Sequence, residues 1–142
     1  MQEIDRREGV APQAEVSDTE LLRVIADFLE MGHVENIVAM FKQERKYYGW
    51  TGRLLTDERF AVRLGVSVLF EYLREERPEE IGLAVPSLKE QLEHEAAWVR
   101  GEAVSVLGII GTREALDAVR TMLDDPAPQV REVARDIVET DG

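Results

Sequence analysis

Apolar residues recur along this chain at helical spacing, and the recurrence itself repeats. Val62-Arg63 is followed by Val66, Leu69 and Phe70; Val99-Arg100 by Ala103, Val106 and Leu107; and Val130-Arg131 by Ala134, Ile137 and Val138. Apolar positions at four, seven and eight steps after the first make one stripe along an α-helix. A leucine also stands seven positions before each start, at Leu55, Leu92 and Leu123, so the likeness reaches into the end of the preceding element. Three copies in register predict stacked helical hairpins, because a lone hairpin cannot bury both sides of its stripe.

The same reading gives the elements. Residues 1–17 mix charges with Gly9 and Pro12 and read as a flexible arm; residues 18–142 read as a single helical domain. Ser17 or Asp18 suits a helix N-cap, and Leu21, Leu22, Ile25, Phe28 and Leu29 form a stripe that Gly32 ends. A second helix is expected over about 34–46. The segment KYYGWTGR at 46–53 then reads as a loop, since two glycines flanking Trp50 break the period. A third helix is expected from near Asp57 to about Glu76, stopped by Pro78. A fourth carries Val85, Leu88 and Leu92, with Pro86 in its early turns, and a fifth runs from Val99 to Gly108 or Gly111. Thr112 caps a sixth, and Pro126 opens a seventh that ends near Glu139.

The stretch VRGEAVSVLGIIGTREALDAVRTMLDD, from Val99 to Asp125, resembles HEAT repeats of the short prokaryotic type, also called phycobilisome-lyase HEAT-like repeats. The resemblance covers residues 55–139 and, more loosely, 18–46 through Leu22-Arg23, Ala26 and Leu29. It implies an all-α fold, a right-handed α-α superhelix (a HEAT/armadillo-like solenoid) of about three to four helical hairpins. It also implies a ladder in which an Asp six positions before each Arg helps join neighbouring repeats. Asp57 with Arg63 and Asp125 with Arg131 keep that spacing, whereas His94 stands where the acid before Arg100 is expected. Arg63, Arg100 and Arg131 therefore read as structural residues, whose planar guanidinium groups can pair with an acid of the adjacent repeat.

Charge narrows the function. The formal net charge of −12 opposes a phosphate backbone, so nucleic-acid binding is not expected; Lys42, Arg45, Lys46 and Arg53 form a local exception. No apolar run is long enough to cross a bilayer and the first residues are too charged for a signal peptide, so neither membrane association nor export is expected and the expected location is cytoplasmic. The absence of cysteine removes thiolate catalysis and disulfides. His33 and His94 flank helix ends, and Glu75, Glu76, Glu79 and Glu80 surround Pro78 as solvated helix ends, so no catalytic, cofactor-binding or metal-ligating set is expected.

The expected function is non-catalytic protein binding, as an adaptor or an assembly or regulatory subunit, toward a protein of basic or mixed charge. Tyr47, Tyr48 and Trp50 beside Lys46 and Arg53 combine the features of recognition anchors, or else fold back over the junction between the first hairpin and the regular array. Helical phase puts Lys42, Lys46, Glu90, Gln91, Asp117, Arg120 and Thr121 on the outward side of the second helices, where solenoids commonly bind. The last helix, with Val133 and Ile137, reads as a cap or as a weak homodimer contact on an otherwise monomeric chain. Two alternatives follow from the family resemblance: an enzyme or accessory acting on a linear tetrapyrrole, and a DNA glycosylase, the latter opposed by the acidity.

Overall fold

In the computed structural model, residues 17–141 are described; the arm expected over 1–17 lies, apart from Ser17, outside them. Helix α1, Asp18–Glu30, begins with a reciprocal cap: the Ser17 hydroxyl accepts the Glu20 N–H at 3.1 Å, and the Glu20 carboxylate accepts the Ser17 N–H at 3.4 Å. Helix α2 spans Val34–Gln43 and stops where Glu44 turns extended. A 3₁₀ helix, Arg45–Trp50, then runs straight into the short α3, Thr51–Leu54. Helix α4 is Phe60–Glu76. The 3₁₀ turn Ile81–Ala84 merges into α5, Val85–Gln91, with Pro86 in the first turn where its missing N–H costs least. Helix α6, Ala97–Ile110, ends on Gly111 at φ 67°, a left-handed conformation that closes the helix and suits glycine. Thr112 caps α7, Arg113–Arg120, by accepting the Ala115 N–H at 3.2 Å, and α8 is Pro128–Asp141. No strand occurs among the described residues.

The helices form two rows. In the first row α1, α4, α6 and α8 lie side by side; in the second, the 3₁₀ segment with α3, then α5, then α7, while α2 packs on both α1 and α4. One cluster of buried residues runs from Ile25 to Ala134 through both rows. Neighbouring helices of one row approach closely where a side chain is missing. A Cβ on Gly108 would overlap the Ile137 side chain across α6 and α8, and one on Gly52 would strike the Ser87 carbonyl across α3 and α5. At that second contact the Gly52 N–H donates to the Ser87 hydroxyl at 3.1 Å, tying the two segments together.

The segment expected as a loop, 46–53, is helical throughout, and the break lies at Glu44 instead. Its aromatic side chains explain the difference. Tyr48 is fully buried against Phe41 and Phe70, Tyr47 lies 5.8 Å from Phe41 and 5.1 Å from Trp50 between ring centroids, and all of them join the core. Burial of this much aromatic surface outweighs the weak helix propensity of Gly49 and Gly52. The second helix accordingly ends three residues earlier than expected, and the third starts at Phe60 because Asp57 is occupied with capping. At the other end α8 extends to Asp141, with Val133 and Ile137 partly buried against the core.

Candidate functional site

Each repeat carries the same clip at the entry to its first-row helix. The Arg63 guanidinium donates to the Asp57 carbonyl at 2.9 Å, that of Arg100 to the His94 carbonyl at 2.8 Å, and that of Arg131 to the Asp125 carbonyl at 2.8 Å. The side chain at the same position caps the turn: Asp57 accepts the Arg59 N–H, Asp125 accepts the Ala127 N–H, and His94 accepts the Ala96 N–H through Nδ1, all at 2.9 Å. The imidazole thus replaces the aspartate locally, with Nδ1 as the acceptor.

Between repeats the resemblance to a ladder is only partial. Arg100 makes the rung, donating from Nε and Nη2 to both oxygens of Asp125 at 2.9 and 3.0 Å. The Arg100 hydrogen bond holds the Asp125 carboxyl below the usual range despite burial, which opposes the shift. Arg63 finds no carboxylate at position 94 and pairs with Glu102 at 2.9 Å instead. Asp57 is claimed by Arg59, which also reaches Asp27 and Glu30 of α1 at 2.9 and 2.8 Å; the Arg59 hydrogen bond lowers the Asp57 pKa. Neither Arg59 nor Glu102 stands out in sequence, since both belong to ordinary charged helix surfaces.

This arrangement, two rows of helices with a clip recurring at each repeat, is what a family comparison meets. A family model described as HEAT repeats matches residues 53–137, more than half of the chain. The chain belongs to the HEAT-repeat family. No curated protein and no solved structure matches it.

Along the HEAT array's second row the expected recognition residues separate into three groups. Tyr47, Tyr48 and Trp50 are core, so they are not accessible anchors; above them Lys46 lies 5.7 Å from the Tyr47 ring and 5.8 Å from the Trp50 ring, and Arg53 lies 6.0 Å from Trp50. Lys42 is engaged by Glu76. Glu90 is exposed, whereas Gln91 is half-buried beside Gly52. Asp117 and Arg120 pair with each other at 2.9 Å, and Arg120 also reaches Asp141 at 3.6 Å.

Between α5 and α7 lies a groove of about 430 Å³. Leu92, Ala118 and Met122 form its apolar floor, and Glu93, Glu114 and Asp117 stand with Lys89 on its rim. Sequence phase puts Asp117 and Thr121 on this face but misses the floor, because Leu92 reads as an ordinary core position and nothing in the pattern marks Met122. Among the described residues no three His, Asp or Glu side chains gather to hold a metal ion, and no helix is long and apolar enough to cross a membrane.

Proposed function

We propose that this HEAT-repeat scaffold is a non-catalytic binding module, an adaptor or an assembly or regulatory subunit, that holds a protein along its second-helix row. The observation that supports this reading is the α5–α7 groove. Its apolar floor accepts a side chain, and its rim has three carboxylates, one of them paired with Arg120, against one lysine, which favours a partner of basic or mixed charge. The floor and the rim stand on α5, α7 and the turns that end them, and Ala118 and Met122 are buried, so few floor side chains lose freedom when a partner docks.

A tagged pull-down from native extract tests it, comparing the intact chain with a Glu114→Lys/Asp117→Lys variant shown by circular dichroism to be folded. Both positions are exposed, so the fold is expected to survive. Loss of a reproducible protein partner supports the groove; undiminished capture overturns it. The finer likeness to phycobilisome-lyase repeats rests on residues 99–125. A bilin absorbance band after incubation is the result that would move the reading toward tetrapyrrole chemistry.

A further inference from the structure

We propose that Phe60, Leu64 and Trp98, set around the Arg63 guanidinium on the first-helix row, form a second docking platform that takes an amphipathic protein segment of basic charge. Phe60 and Leu64 are one turn apart on the solvent face of α4 and are 62% and 52% exposed; Trp98, at the start of α6, is 41% exposed. Large apolar side chains exposed singly are ordinary, but here Arg63 links Phe60 to Trp98, and Leu64 stands one turn from Phe60 on the same face. Arg63 lies 4.4 Å from the Trp98 ring and 5.5 Å from the Phe60 ring, so one guanidinium meets two aromatics from neighbouring repeats.

The cluster is held in place. The Asp57 carbonyl and the Glu102 carboxylate fix the guanidinium, both at 2.9 Å, and the guanidinium fixes the rings. A partner therefore meets a preformed aromatic surface with little further ordering to impose, the condition under which Trp and Phe become dominant contacts. The substitution of His94 for an aspartate contributes directly. With no carboxylate at that position, Arg63 pairs across the row with Glu102, one turn beyond Trp98 on α6.

Charge selects the occupant. The Arg63 charge is balanced by Glu102, and Arg59 is committed to Asp27, Glu30 and Asp57. Glu58 stands two residues before Phe60, Glu71 and Glu75 continue the exposed face of α4, and Glu95 precedes Trp98; all are exposed. Arg74 is the one cation on the flank of α4, donating to the Ile109 carbonyl at 3.3 Å. A second copy of this chain would bring the same carboxylates face to face, and an anionic lipid or nucleic-acid surface would meet them with like charge. A segment with apolar residues on one side and lysine or arginine on the other fits both the rings and their surroundings.

The probe is a labelled peptide of about four helical turns, with leucine on one face and lysine on the other, titrated into the full chain by fluorescence anisotropy; a leucine and glutamate counterpart serves as control. Binding of the lysine peptide is expected, weakened roughly tenfold or more by Phe60→Ser/Leu64→Ser and by Glu58→Lys/Glu71→Lys. Glu114→Lys/Asp117→Lys should leave it unchanged, which separates this platform from the second-row groove. If the double serine variant loses its helical circular dichroism, Phe60→Lys alone, at an exposed position, gives the same comparison. The proposal is overturned by no binding, by equal binding to the platform variants, by equal binding of the glutamate peptide, or by loss only in the groove variant. Self-association that Phe60→Lys abolishes would also overturn it, in favour of a second copy.

Discussion

Asp125 should be worth more to this fold than any other surface acid, and Asp125→Ala measures how much. Its carboxylate side chain, only 5% exposed, accepts two charge-assisted bonds from Arg100 in the preceding repeat and caps the turn through the Ala127 N–H. Removing a cap costs about 1 kcal/mol. Losing both bonds to Arg100, with its guanidinium left half-buried on the His94 and Glu95 carbonyls, adds about 2 kcal/mol. The expected loss is therefore about 3 kcal/mol, a fall in melting temperature of roughly 10 °C for a chain of this size.

Asp125→Asn should lose about half as much, because the amide oxygen can keep the cap while the charge is gone. Urea unfolding followed by circular dichroism, with a double-mutant cycle against Arg100→Met, isolates the rung. The folded pKa is depressed, so the stabilisation is complete above the ordinary aspartate value of about 3.9 and fades as pH falls through the lower folded value. The coupling should be full at pH 7 and shrink as pH falls below the ordinary aspartate value. A loss under about 1 kcal/mol at pH 7, or strict additivity in the cycle, refutes the reasoning.

His94→Asp should keep the turn cap that the imidazole makes and add a carboxylate able to draw Arg63 from Glu102. Urea unfolding is expected to show a gain of about 1 kcal/mol, and an unchanged or lower midpoint would show that Glu102 already does the same work. Burial, reinforced by the neighbouring Glu80 carboxylate, raises the Tyr48 pKa to about 12. The fold therefore favours the neutral phenol, a contribution complete below the unfolded value of about 10 and lost as pH rises through the folded one. Near-ultraviolet titration should find one tyrosine ionising late, and Tyr48→Phe should raise the alkaline unfolding midpoint.

The helices from α4 onward were legible in sequence because the Val-Arg pattern recurs and because Gly111, Thr112 and Pro86 mark helix ends by local chemistry. The 3₁₀ segment at Arg45–Trp50 was not, since its helicity comes from burying Tyr48 against Phe41 and Phe70, contacts made across α2 and α4. The spacing of six before each arginine is legible, but it reads as a rung between repeats, whereas the arginine also closes onto the backbone carbonyl of its own repeat. The partner of each arginine is not legible. Which acid faces Arg63 depends on where α6 sits beside α4, and spacing within one repeat carries no information about that. Leu92 and Met122 line one groove only because α5 and α7 are neighbours in the fold, which no single helix encodes.

The clips have a further bearing on how such an array changes length. Thirty-seven residues separate Val62 from Val99, whereas thirty-one separate Val99 from Val130. Each clip nevertheless closes within the seven residues ending at its arginine. The difference is taken up elsewhere, by a longer α4 and by the Arg77–Ala84 passage into α5. Insertions and deletions in that passage leave the entry geometry of the next helix untouched, so a chain built this way can vary the size of its units without losing the joint between them.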